Sequence, residues 1–390
     1  MVDNFRFARI PAVHFGKGAF STLPSLCRKY GKSIVVVTGK GSFIRSPHAE
    51  KFFNDLKEDG FTWRHVPVEG EPSPETIDSA VQNIGNEIIN LVVGIGGGSA
   101  LDAGKAISAM LHCECSVKDY LEVTGTKSHP GTKVPFIAVP TTSGTGSEAT
   151  KNAVISHIGK DGFKRSLRHD NFVPEIALVD PLLTVSCPPD ITAASGMDCF
   201  TQLTEAYLSN NATPYTDALA LEGLKEVKNS LVRCCNDGSD TEARSGMSFA
   251  ALTSGICLAN AGLGVVHGFA SSLGARYNIH HGSICGTLMS SANEINVRVL
   301  RKERGKAALS KYATLGRLFL GENNSDDDYF IDGFIDYLFN ISSELKLPGL
   351  RSAGVDSLDF QDLVQQTECK NNPVKLSPEQ LYEILDKRYF

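Results

Sequence analysis

The chain has 390 residues, 42% hydrophobic and 21% charged, a composition that suits a folded globular protein of two or three domains whose core needs no disulfides. Its 38 Lys and Arg against 44 Asp and Glu leave a net charge of −6 with no long basic run, which excludes a nucleic-acid footprint. The ten cysteines are scattered, the opening MVDNFRFARIPAVHFG lacks a leader pattern, and no apolar run is long enough to span a bilayer, so a reducing cytoplasm is expected, with no membrane partner.

The first half alternates strand and helix signals. Residues 33–38 (SIVVVT) read as a strand, 48–59 as an amphipathic helix, and 62–68 as a strand followed by a Pro/Gly-rich turn. A helix over 74–87 with Pro74 in its first turn follows, then a buried strand over 90–95 that runs into Gly96, Gly97 and Gly98, and a helical run over 100–112. Alternation of this kind predicts a parallel sheet covered by helices. From about residue 188 the pattern changes, and residues 190–209, 213–234, 241–260 and 298–320 all read as helices. The expected architecture is an α/β domain over 1–181 and an all-helical domain over 182–390, divided at Asp180 and Pro181. Residues 323–328 (NNSDDD) read as an exposed loop, and Cys113 and Cys115, with no second pair nearby, as structural.

Two loops carry phosphate-binding chemistry. In residues 94–102 (GIGGGSALD) the glycines permit close backbone approach, and the helix that follows offers free amides and a partial positive charge, which suits a pyrophosphate. A plain tight turn would use the same residues. Residues 139–148 (VPTTSGTGSE) gather hydroxyls and glycines after a second strand, in position to meet phosphate or ribose oxygens. Further on, Asp198 and Gln202 are four apart and share a helix face, while His267 and the pair His280–His281 sit in Gly-rich surroundings. These are reasonable ligands for Fe, Zn or another divalent metal, and equally reasonable as buried, hydrogen-bonded histidines with a capping Asp.

Taken in order, these segments resemble the iron-containing (group III) alcohol dehydrogenase family: FGKG at 15–18, GGGSALDAGKA at 96–106, PTTSGTGSEAT at 140–150, PEIALVDP at 174–181, SGMDCFTQLTEAYLS at 195–209 and GLGVVHGFASSLGARYNIHHG at 262–282. The resemblance implies a dehydroquinate synthase-like architecture and an oxidoreductase that moves a hydride between NAD(P)H and a small aldehyde or alcohol. By resemblance, Gly96, Gly97, Gly98 and Ser99 hold the pyrophosphate and Asp102 orders the adjoining helix. Thr141, Thr142, Thr145 and Ser147 line the nicotinamide and ribose, Lys164 lies near the cofactor, and Leu183 near the adenine or ribose. Asp198, His267 and His281 match three of four metal ligands, and the fourth position, normally His, is Gln202. A further family His, near the substrate, is Ser271 here, so a proton relay would run through Ser271, His280, a cofactor ribose hydroxyl or water, with His267 also counted among the catalytic residues.

Where the family often carries an acidic residue that repels a 2′-phosphate, this chain has Gly39, Lys40, Gly41 and Ser42, which points to NADP(H) over NAD(H). Gln202 is a poorer transition-metal ligand than imidazole, so a weakened metal site or a metal-independent reductase of the maleylacetate reductase type is expected. A dehydroquinate synthase-like lyase and a cofactor-binding relative without turnover are the other readings. Arg276 and Lys164 could meet an anionic group on the substrate, and a homo-oligomer, such as a dimer, is expected from the family.

Overall fold

The computed structural model describes residues 4–322 and 326–390. The first half runs β1 (Ala12–Phe15), α1 (Leu23–Cys27), β2 (Ser33–Gly39), α2 (Pro47–Glu58), β3 (Thr62–Val68), α3 (Pro74–Ile84), β4 (Leu91–Gly96), α4 (Gly98–Met110) and β5 (Phe136–Pro140). An antiparallel hairpin of β6 (Asn152–His157) and β7 (Phe163–Arg168) follows, then β8 (Ile176–Val179). The main sheet is parallel throughout, in the order β1-β8-β5-β4-β2-β3.

Its central strands are continuous apolar runs because both faces are covered. The period of two sorts β2 cleanly: Val35 and Val37 pack with Leu101 and Ile107 of α4 and Ile77 of α3, while Ile34 and Val36 pack with Leu23 of α1 and Phe52 of α2. Serines start the covering helices: Ser46 accepts from the Ala49 amide and Ser73 from the Thr76 amide, each followed by a proline in the first turn.

The second half is helical: α5 (Pro189–Leu208), α6 (Pro214–Asn236), α7 (Thr241–Ala261), α8 (Val265–Arg276), α9 (His281–Glu303), α10 (Lys306–Leu320), α11 (Asp327–Glu344), α12 (Phe360–Gln366) and α13 (Pro378–Asp386). The expected α/β-then-helical architecture is the observed one. Three features matter. The run read as one helix over 298–320 is two, because α9 ends at Arg304, whose φ of 59° is left-handed, and the Gly305 amide turns back to the Leu300 carbonyl at 2.9 Å. The β6–β7 hairpin was not anticipated. A third feature is the depth of α5, read correctly as a helix: every residue from Thr192 to Leu208 is buried, among them Asp198, Gln202 and Glu205. Of the loop expected at 323–328, residues 323–325 lie outside the described residues, and Asp327 and Asp328 open α11. Among the described residues no single helix is long and apolar enough to cross a membrane, and all ten cysteines are free.

Candidate active site

A cleft of about 1040 Å³ separates the carboxyl end of the sheet from the helical half. Gly96 and Pro140 are register partners at the ends of β4 and β5, so the two loops singled out above emerge side by side, where ligands of open parallel sheets bind. Gly96 has a φ of +159°, Gly97 is the N-cap of α4, and the first-turn amides of the helix have no intrahelical partners. The loops are pressed together: a Cβ on Gly98 would stand 2.7 Å from Thr145 Cγ2, and one on Gly97 3.3 Å from Thr142 Oγ1. Gly97, Gly98, Ser99, Thr142 and Thr145 all line the cleft.

Asp102 and Ser147 also border it, but their polar atoms are already engaged. Asp102 accepts from Ser147 Oγ at 2.5 Å and from the Val154 amide at 3.0 Å. Buried Lys105 donates to the Ser147 and Asn152 carbonyls and to Thr150 Oγ1, stitching α4 to the Thr-rich loop and to β6. Burial pushes the Lys105 amine down to about 8 and the carboxyl of its neighbour Glu148 up to about 7.

Across the cleft, α5, α8 and α9 converge on a cluster of donor atoms. Asp198 Oδ1 lies 3.2 Å from His267 Nε2 and 3.7 Å from His281 Nε2, and Cys285 Sγ lies 3.7 Å from His267 Nε2. One ligand atom from each of these four residues falls within 4.8 Å of the others. Glu205, seven residues after Asp198 on α5, faces His267 Nδ1 at 2.7 Å and also accepts from the Val266 amide, which points the far nitrogen of His267 into the cluster. Gln202 donates from Nε2 to Asp198 Oδ1 at 3.1 Å and accepts at Oε1 from Ser254 Oγ at 3.0 Å. Burial works to raise the Asp198 carboxyl, but the His281 and His267 imidazoles beside it outweigh that and hold it well below the usual carboxylate range. Burial pushes the His281 imidazole down to about 3 and the Cys285 thiol up to about 11.

The crossing that makes this cluster follows from two glycines. A Cβ on Gly282 would meet the Ala194 carbonyl oxygen at 2.1 Å, and one on Gly286 would meet Met197 Cβ at 2.9 Å. Only with bare backbone at both positions does α9 lie close enough to α5 for His281 and Cys285, one turn apart, to reach Asp198.

Other residues named from the sequence are dispersed. Ser271 lines the cleft and donates its hydroxyl to the His267 carbonyl at 2.9 Å, and His280 caps α9 at the cleft wall, exposed. Lys164 lines the cleft and is paired with Glu71, which also accepts from Ser156 Oγ at 2.6 Å. Gly39 borders the cleft, and Lys40 beside it is paired with Glu69. Gly96, Gly41, Ser42, Thr141 and Leu183 are not among the residues bordering it. Gly96 and Thr141 are joined backbone to backbone beneath it at 2.9 Å, Gly41 packs toward Arg45, and Leu183 is buried in the apolar layer with Leu178 and Phe20. Arg276 does not reach the cleft, because Asp359 and Asp362 hold it at the far end of α8.

Among the residues of the site not read from the sequence are Glu71, Glu205 and Cys285. Glu71 sits in a Pro/Gly-rich turn. Glu205 and Cys285 did carry a signal, since Glu205 follows Asp198 by seven and Cys285 follows His281 by four, both same-face helical spacings.

Comparisons with known proteins find relatives along nearly the whole chain. Residues 11–181 match the family described as iron-containing alcohol dehydrogenase, and residues 192–389 match its C-terminal family. Over 281 residues, covering 72% of this chain and 70% of the relative, the chain is 37% identical to long-chain-alcohol dehydrogenase 1 from Geobacillus thermodenitrificans. It is 29% identical to the NADPH-dependent butanol dehydrogenase of Clostridium saccharobutylicum, covering 99% of this chain and 98% of that one. The crystal structure of a 1,3-propanediol oxidoreductase superposes with a TM-score of 0.89 and 28% identity over 99% of this chain and 100% of that one. The chain belongs to the iron-containing alcohol dehydrogenase family. It is an oxidoreductase of the alcohol dehydrogenase/aldehyde reductase class, and membership implies a nicotinamide dinucleotide and a divalent metal.

Proposed function

We propose that the chain catalyses reversible hydride transfer between NADP(H) or NAD(H) and a small alcohol or aldehyde. In this reading residues 1–181 hold the dinucleotide and residues 182–390 supply the metal and substrate wall. The observation that carries it is the meeting, across one cleft, of the bare-backbone turn at Gly97 and Gly98 with the cluster of Asp198, His267 and His281.

The residues present fit both groups. The first-turn amides of α4 have no intrahelical partners, and the helix start at Gly98 and Ser99 borders the cleft, which offers a diphosphate free donors at the positive end of the helix. On the other wall, His267 Nε2 and His281 Nε2 face Asp198 Oδ1 at 3.2 and 3.7 Å, a buried set of one carboxylate and two imidazoles that suits a divalent metal. Asp198, His267 and His281 would hold the metal, which when bound polarises the substrate oxygen as a Lewis acid while the dinucleotide exchanges the hydride.

The chain's own groups set the rest. Glu205 keeps the Nδ1 side of His267 engaged, so the ring cannot turn away from Asp198. Ser271 Oγ donates to the His267 carbonyl, which leaves its lone pairs to accept a hydrogen bond from the substrate hydroxyl or an intervening water and so to orient it. His280, exposed on the cleft wall, would take the substrate's proton through water and release it to solvent. We infer NADP(H) as the preferred dinucleotide, because Gly39 closes β2 without a carboxylate and Lys40 stands next to it. An anionic substituent on the substrate would face Arg165 and Lys370, which line the cleft without an ion-pair partner among the described residues, in place of the engaged Lys164 and Arg276.

A metal-independent reduction has one observation in its favour: Gln202 and His267 already satisfy Asp198 through protein hydrogen bonds. Oxidation of NADPH and NADH against neutral and anionic aldehydes, by metal-loaded and chelator-treated protein, separates the readings. Turnover only with metal supports the first, equal turnover after chelation the second, and none on any aldehyde refutes both.

A further inference from the structure

We propose that Cys285 is the fourth protein ligand of the metal, in the place assigned from the sequence to Gln202. This rests on the metal-assisted reading above.

Gln202 is badly placed to ligate. The atom next to Asp198 Oδ1 must be the amide nitrogen, since a carbonyl oxygen there would face a carboxylate with no proton between them. The side-chain oxygen, the one atom of Gln202 able to bind a metal, is therefore turned to Ser254 on α7. Both ends of the amide are engaged in this arrangement.

Cys285 is placed where Gln202 is not. It is buried, it shares a face of α9 with His281, and Gly286 beside it lets that face press on Met197, the residue before Asp198. Metal–donor bonds of about 2.0–2.3 Å in a tetrahedron set neighbouring donors about 3.3–3.8 Å apart. The observed separations are 3.2 Å from Asp198 to His267, 3.7 Å from Asp198 to His281 and 3.7 Å from His267 to Cys285. The donor set is then one carboxylate, two imidazoles and one thiolate. Exchanging an imidazole for a thiolate softens the set and moves its preference from iron(II) toward zinc, with cobalt(II) as a faithful spectroscopic substitute. Ligation breaks the S–H bond, forms a metal–sulfur bond and releases the proton to buffer.

The test uses metal-stripped full-length protein reloaded with cobalt(II) or zinc. Cobalt loading should produce a thiolate-to-cobalt charge-transfer band in the near ultraviolet that Cys285→Ser abolishes and Gln202→Ala retains. Cys285→Ser should also weaken zinc binding by at least about tenfold. X-ray absorption at the zinc edge of the unmutated protein needs no variant and should show one sulfur at about 2.3 Å. Stoichiometric metal with only nitrogen and oxygen neighbours, or a band that survives Cys285→Ser, overturns the role of Cys285 and leaves the metal reading standing. Failure to bind either ion overturns both.

Discussion

Replacing Gly282 by alanine places a methyl carbon 2.1 Å from the Ala194 carbonyl oxygen and 2.6 Å from its carbon, where ordinary contact begins near about 3.5 Å. Both atoms are backbone of a buried helix and cannot rotate away, so the first turn of α9 must retreat by about 1 Å or more. Overpacking of this kind costs about 1–3 kcal/mol. For a chain of 390 residues unfolding as one unit, the unfolding entropy makes that a fall in Tm of about 1–4 °C. The sharper effect is on the cluster, because metal sites tolerate about 0.2 Å of ligand displacement, and His281 and Cys285 both ride on the displaced turn. Zinc affinity, measured by competition with a chromophoric chelator, should fall by about 10–100-fold or more. Melting the metal-free proteins in parallel isolates the packing cost from the lost metal. Gly286→Ala should have the smaller effect, because its nearest obstacle, Leu347 Cδ1 at 2.6 Å, is the end of a flexible side chain and the fixed Met197 Cβ stands farther off at 2.9 Å. A Gly282→Ala protein that folds and binds zinc as tightly as the parent would refute the claim that this helix crossing builds the site.

On the other wall, Gly98→Ala should weaken NADPH binding by about 10–100-fold, the worth of one or two charge-assisted hydrogen bonds, and leave zinc affinity untouched; calorimetric titration of each ligand checks both halves. Lys40→Ala should raise KM for NADPH with little change for NADH, and an equal change for both would remove Lys40 from cofactor choice. Burial lifts the Glu148 carboxyl from 4.5 to about 7, so the folded chain binds more protons than the unfolded one between those values. That contribution to stability is full below about pH 4.5, fades as pH rises through about 7, and amounts to about 3 kcal/mol. Glu148→Gln should therefore gain in Tm over the parent between pH 5 and pH 8, and a gap that stays constant with pH contradicts the assignment.

What could be read in advance followed the strength of the local signal. β4 was legible because LVVGI is buried on both faces and runs straight into glycines, which fixes strand, turn and helix start together. The β6–β7 hairpin was not, because NAVISH and FKRSLR carry hydroxyls and charges that belong to the cleft, where Lys164, Arg165 and Ser166 form its wall. The break at Arg304 was masked by a helical period that continues across it, and only a left-handed residue divides α9 from α10. Asp198, His267 and His281 could be named from motif, and the structure brings all three together. Cys285 could not, because a cysteine in an apolar stretch reads as a small hydrophobe, and its position beside His267 depends on how closely α9 crosses α5. Leu183 and Arg276 went the other way: each had the right chemistry in sequence and was claimed elsewhere, one by an apolar layer and one by two carboxylates.

The central claim is that the nicotinamide ring and the metal face each other across one cleft. It is tested most directly by proton relaxation of bound NADP⁺ in protein loaded with cobalt(II) and, as the diamagnetic control, with zinc. Strong cobalt-dependent relaxation of the nicotinamide protons, weaker for those of the adenine, is the result expected. Equal relaxation in the two proteins, with dinucleotide and metal both bound, would place them in separate sites and contradict the account.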